Sequence, residues 1–191
     1  MENPIAKLYS HFIPRPSEPF DAGYSKITEA GDAEVGGLDT RIDFGIRIQN
    51  AGETIVVSDP KESVWVLLRG DVRVSAGGER ASLKRGSIFD EAPSGIHVGP
   101  DTELTIETLG GEAEWAVSRT DNDKQLKVRI FTPDTLSPEY RGAGQVQDAC
   151  RRNVRLIFDY DNNPESNLVI GEVVNYPGRW SSYPPHHHDQ P

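Results

Sequence analysis

Period-two alternation of apolar and polar residues dominates the chain. Ile42, Phe44, Ile46 and Ile48 alternate with Arg41, Asp43, Gly45 and Arg47, the pattern of a strand with one face in a core. Val64 to Leu68 is an unbroken apolar run, which predicts a strand buried on both faces. Arg69-Gly70-Asp71 then separates it from a second alternating strand at Val72 and Val74. Ala76-Gly77-Gly78-Glu79 reads as a hairpin turn, after which Ala81-Ser82-Leu83 resumes pairing. Gly110-Gly111 reads as another hairpin turn, between the alternations Leu104, Ile106, Thr108 and Trp115, Val117. Turns recur at the ~8–12-residue spacing of sandwiches and barrels. No long stretch carries the helical period, so the pattern predicts an all-β antiparallel fold and excludes a parallel sheet with crossover helices.

The same pattern divides the chain. Residues 1–23 form an irregular arm in which Pro4, Pro14, Pro16 and Pro19 break any helix. Residues 24–119 make one antiparallel β unit. Residues 120–152 read as a connector, polar at its start and holding one strand at Lys127 to Phe131. A second β unit occupies 153–191: Val154, Leu156 and Phe158 alternate, Asp159 to Asn163 turns, and Leu168, Ile170 and Val173 form the next strand. An isolated sheet that small is marginal. It must pair with the first unit or another subunit, or continue past Pro191; the last is the expectation.

Composition narrows the function classes. Among 191 residues, 30 Asp and Glu outweigh 20 Lys and Arg, a net charge of −10. Phosphate neutralisation by Lys and Arg supplies most nucleic-acid affinity, so no nucleic-acid partner is expected. The single cysteine, Cys150, cannot form an intrachain disulfide. No apolar run approaches the ~18 residues of a membrane helix, and Met1 to Ser10 has no apolar signal region. A soluble cytoplasmic protein, with no membrane partner, is the expectation.

Five histidines are present, and three are consecutive: His186, His187 and His188. In a strand, residues 186 and 188 share a face and 187 points away. Two imidazoles so placed can share a divalent cation. A triplet alone also fits a tag remnant or a solvated run, but entry through Tyr183-Pro184-Pro185 and exit through Asp189 favour the ligand pair. Arg179, Trp180 and Tyr183 flank that pair and are substrate-contact candidates, Trp180 being equally suited to a core or interface. His97 has no His partner in the preceding strands, and reads as a structural residue satisfied by backbone. Cys150 has no identifiable base and reads as structural; Asp159-Tyr160-Asp161 reads as a turn.

The stretch from Gly178 to Asp189, Gly-Arg-Trp-Ser-Ser-Tyr-Pro-Pro-His-His-His-Asp, resembles the signature of the 5-deoxy-glucuronate isomerases of inositol catabolism, within the cupin superfamily. That family is also similar to pectin-pathway uronate isomerases. Gly70, and the segment from Gly86 through Pro93-Ser94-Gly95 to His97, are similar to cupin turn motifs, with spacing shifted by a residue. The resemblance implies a cupin-type double-stranded β-helix, a jelly-roll barrel, in a bicupin whose first barrel (24–119) is metal-free. The metal-binding second barrel (153–191) is then incomplete. His186 and His188 match the first two ligands of a divalent metal, with Zn, Mn, Fe and Ni not distinguished. A Glu and a third His would follow Pro191, so the chain reads as part of a longer protein and its own site as weakly filled. The implied activity is aldose–ketose isomerisation of 5-deoxy-glucuronate to 2-deoxy-5-keto-gluconate, with the sugar acid as partner, Arg179 facing its carboxylate, and no base assigned. A homo-oligomer stays open. The alternatives are a related cupin uronate ketol-isomerase or a non-catalytic sugar-binding cupin module. No helix-turn-helix pattern supports a regulator.

Overall fold

The computed structural model describes residues 20–31 and 39–181. In chain order the strands are β1 (Gly23–Thr28), β2 (Asp43–Gln49), β3 (Thr54–Val57), β4 (Glu62–Ala76), β5 (Glu79–Arg85), β6 (Ser94–Val98), β7 (Leu104–Thr108), β8 (Ala113–Thr120), β9 (Arg129–Phe131), β10 (Glu139–Arg141), β11 (Arg152–Phe158) and β12 (Ile170–Asn175). A single 3-10 turn, Pro133–Thr135, is the only helical element among the described residues. The fold is the all-β cupin-type jelly roll that the pattern and the resemblance predict. Every pairing is antiparallel.

The strands β1 to β9 form one nine-stranded assembly with two faces. One face runs β1-β2-β8-β4-β6-β9; the other joins β3, β7, β4 and β5. β4 belongs to both. The sequence suggests two strands here, broken at Arg69-Gly70-Asp71, but β4 is continuous over 15 residues. Gly70 is the reason: at φ 135° it bends the strand, and an added Cβ would lie 2.7 Å from that of Ala113. A side chain is excluded there on both counts.

The interior between the two faces is filled by Trp65, Leu67, Val72, Val74, Leu83, Ile96, Leu104, Ile106, Trp115 and Val117. Trp65 and Trp115 meet edge to face, ring centroids 6.2 Å apart. The alternate residues of β4, Val64 and Val66, point to the outside of the barrel wall and are equally buried. They pack against Ile157, Phe158 and Leu168. The double burial of residues 64–67 therefore comes from two cores, one on each side of the strand.

β10, β11 and β12 form a separate three-stranded sheet. It joins the barrel by face packing and not by strand pairing. A register shift between Leu156 and Phe158 breaks the expected alternation, so Ile157 and Phe158 are both buried while Leu156 is half-buried. The Gly77-Gly78 turn joins the paired strands β4 and β5 as expected. Gly110-Gly111 is a correction: β7 pairs with β3 and β4, and β8 with β2 and β4. The diglycine thus carries the chain from one face of the barrel to the other and closes no hairpin. No helix of the described residues is long and apolar enough to cross a membrane.

Candidate functional site

The part of the signature segment that the structure describes leaves β12 and folds back on the turn preceding β11. The Arg179 N–H donates to the Tyr176 carbonyl at 3.0 Å, closing a turn through Pro177-Gly178. The Trp180 N–H then donates to the Ala149 carbonyl at 2.7 Å, and Arg179 Nη1 donates to the Gln147 carbonyl at 3.1 Å. The Arg151 guanidinium sits over the Tyr176 ring, 5.6 Å from its centroid. Arg179 is exposed and Trp180 is 53% exposed.

The receiving turn is conformationally unusual. Val146, Gln147 and Asp148 have φ of 45°, 54° and 61°, three successive side-chain-bearing residues in the left-handed region. Each costs about 1–3 kcal/mol and persists only when its surroundings over-determine it. The surroundings do so here. Gly144 N–H donates to Asp148 Oδ1 at 2.6 Å, Ala149 N–H to the Val146 carbonyl at 3.1 Å, and Arg151 N–H to the Asp148 carbonyl at 3.1 Å. Gly142, at φ 78°, lies so close to Cys150 that any side chain would collide with the Cys150 carbonyl. Cys150 is fully buried beneath the turn, in keeping with a structural thiol. Strain of this kind concentrates at functional sites, and here it supports the first residues of the signature.

Tyr183, His186 and His188 lie outside the described residues, as does His11. Among the described residues no three His, Cys, Asp or Glu side chains come together in a way that would hold a metal. Asp159-Tyr160-Asp161 is a turn as expected, with Asp161 and Asn162 N–H groups donating to Asp159 Oδ1 at 3.1 and 3.3 Å.

His97 requires a correction. Its partners are side chains, not backbone: Nε2 lies 2.8 Å from Glu62 Oε1 and Nδ1 lies 3.3 Å from Asn163 Nδ2. The neutral tautomer with the proton on Nε2 satisfies both contacts, donating to the carboxylate and accepting from the amide. The ring also stacks on Phe158 at 5.0 Å. Glu62, fully buried, accepts further bonds from Asn122 Nδ2 at 2.8 Å, from the Asn167 N–H at 3.0 Å and from Ser166 Oγ. Burial alone pushes the Glu62 carboxyl upward; the donors from His97, Asn122, Ser166 and Asn167 outweigh it and hold the group at about 2. The network ties β4 and β6 to the 163–168 loop, on the outer side of the barrel wall.

A second buried network was also hidden from the sequence. The Arg85 side chain is fully buried and makes a bidentate pair with Glu172 of β12, at 2.6 and 2.8 Å. Arg155 of β11 donates to the carbonyls of Ile88, Phe89 and Glu91 at 2.8, 2.7 and 2.8 Å. Neither network has a local sequence signal, although Glu62 stands at the start of the face that continues in Val64 and Val66.

Comparison with known proteins extends this picture. The KduI/IolB family model matches residues 14–191. The 5-deoxy-glucuronate isomerase of Geobacillus kaustophilus (strain HTA426) is 29% identical over 153 residues, covering 78% of this chain and 53% of that protein. The 5-deoxy-glucuronate isomerase of Bacillus subtilis (strain 168) is 33% identical over 108 residues, covering 56% of this chain and 38% of that protein. The chain thus spans about half the length, or less, of these curated relatives. Among solved structures, an IolB-like protein from Salmonella typhimurium LT2 superimposes with a TM-score of 0.66 at 22% identity, over 86% of this chain and 64% of that one.

Proposed function

The chain belongs to the KduI/IolB family, and from that premise we propose that it serves an aldose–ketose isomerase acting on 5-deoxy-glucuronate to give 2-deoxy-5-keto-gluconate. The observation that carries the proposal is the signature beginning at Gly178, in a chain whose curated relatives bear that enzyme name. The anchoring of Arg179 and Trp180 on a strained turn supports it.

Moving a carbonyl by one carbon develops charge on two adjacent oxygens. A divalent metal, when bound, supplies Lewis-acid stabilisation of such a pair. His186 and His188 are the residues proposed to hold it, being two apart in the sequence just after Pro184-Pro185, a dipeptide that favours extended backbone. Arg179 is proposed to receive the substrate carboxylate, a planar guanidinium being suited to bidentate carboxylate binding. Trp180 and Tyr183 would offer flat apolar faces to the sugar carbons.

Proton NMR of 5-deoxy-glucuronate incubated with the gene-encoded polypeptide tests the reading, with glucuronate and galacturonate as competing substrates. Conversion of 5-deoxy-glucuronate to the ketose in preference to the others is the expected result. Preference for a common uronate would assign a different ketol-isomerase, and conversion of none would assign a binding module.

A further inference from the structure

A cavity of about 280 Å³ opens among β3, β4, β8 and the segment between β6 and β7. Its polar lining comes from Ser58, Asp59, Ser63, Thr102 and Arg119, and Trp65 contributes an aromatic wall continuous with the barrel core. We propose that this cavity is a binding site for a neutral polyol or sugar of about hexose size, a site independent of the isomerase reading.

Three observations lead there. The first is the state of Arg119. Its Nε is shielded from solvent and makes no hydrogen bond, only a 3.2 Å ion pair with Asp59 Oδ2. The guanidinium is held flat by the Tyr24 ring, 4.6 Å from its centroid. No described residue accepts a hydrogen bond from its terminal nitrogens. Asp59 is equally fixed: Oδ1 accepts the Lys61 N–H at 3.0 Å, and its carbonyl accepts the Asp101 N–H at 2.7 Å. The site thus offers a preset donor edge beside a preset acceptor.

The second is charge. Asp59 and Arg119 cancel, and the adjacent Asp43–Lys61 pair cancels in turn, while Asp121 adds a negative charge nearby. A phosphate or a carboxylate ligand would meet no surplus of cations. Vicinal hydroxyls, which donate and accept together, match an Arg–Asp pair ringed by the hydroxyls of Ser58, Ser63 and Thr102.

The third is size and wall. The volume lies just under the roughly 300 Å³ at which drug-sized sites begin, which suits a single sugar ring and excludes a nucleotide cofactor. Ser63 already accepts the Trp65 indole N–H at 3.3 Å, so the aromatic wall is fixed in orientation for the C–H face of a ring.

The test is a fluorescence titration of the gene-encoded protein with hexitols and hexoses, in a Trp180→Phe background that removes signal from the signature segment. EDTA is present throughout, so that loss of the isomerase activity would leave the result unaffected. A saturable change at millimolar ligand is expected. Asp59→Asn, which retains the acceptor for the Lys61 N–H, and Arg119→Met should each weaken binding at least about tenfold with unchanged circular dichroism. Thr102→Val, at the partly exposed rim, should weaken it less and serves if either of those variants misfolds. Absence of a saturable response to every hexitol and hexose overturns the proposal. So does undiminished binding in the folded variants, or tighter binding of inorganic phosphate or glucuronate than of the neutral ligands.

Discussion

A carboxylate buried without a cation survives only if its oxygens are supplied with hydrogen bonds. Glu62 meets that condition with donors from four residues. The pH dependence follows with a definite sign. Its carboxyl titrates at about 2 in the fold against an ordinary value of 4.5, so the stabilisation is complete above 4.5 and drains away as pH falls toward 2. The shift corresponds to on the order of 3 kcal/mol. Glu62→Gln is expected to cost about 2–4 kcal/mol at neutral pH in urea unfolding, and to flatten the loss of stability between pH 4.5 and 2. Unchanged acid sensitivity in the variant would assign the drop to other groups. The partner of this residue was not legible in the sequence. His97 stands 35 positions from Glu62 and 66 from Asn163, separations at which no periodicity reports on contact.

At the scale of elements, alternation gave most strands because one-sided burial writes itself as period two. It misread continuity where backbone geometry overrides side-chain pattern. Arg69-Gly70-Asp71 has the composition of a turn, yet Gly70 bends β4 without ending it. Gly70→Ala should therefore destabilise the barrel by about 2–4 kcal/mol, through positive φ and through contact with Ala113; a loss below about 0.5 kcal/mol in thermal unfolding would show that the bend tolerates a side chain. The left-handed turn at Val146-Gln147-Asp148 has little signal, since of the three only Asp148 is of a type enriched at positive φ. Gly142→Ala should disorder that turn by forcing Cys150 away. The readouts are thiol labelling of Cys150, expected to accelerate, and Trp180 emission, expected to shift red. Unaltered labelling would contradict the packing of Cys150 beneath the turn.

Across the whole molecule, the barrel acts as the base on which β11 and β12 are held. Arg85 reaches 87 residues along the chain to Glu172, three residues before β12 ends and the chain turns toward Arg179. Removing the Glu172 charge leaves the fully buried Arg85 guanidinium without an anion, so Glu172→Gln should cost about 3–5 kcal/mol, measured by denaturant unfolding; a near-neutral effect would mean that the second sheet is held without this pair. The candidate site was legible in one respect, the signature from Gly178 to Asp189, because its residues are contiguous. Its support was not, because Arg85, Gln147 and Ala149 are brought to it only by folding. The central proposal is that His186 and His188 of this signature hold the metal of the isomerase centre in the gene-encoded protein. The rate of ketose formation from 5-deoxy-glucuronate in the His186→Ala, His187→Ala and His188→Ala variants tests it most directly. Loss of turnover in the first and third, with most of it retained in His187→Ala, is the predicted result; turnover retained in His188→Ala, or lost equally in all three, would contradict the assignment.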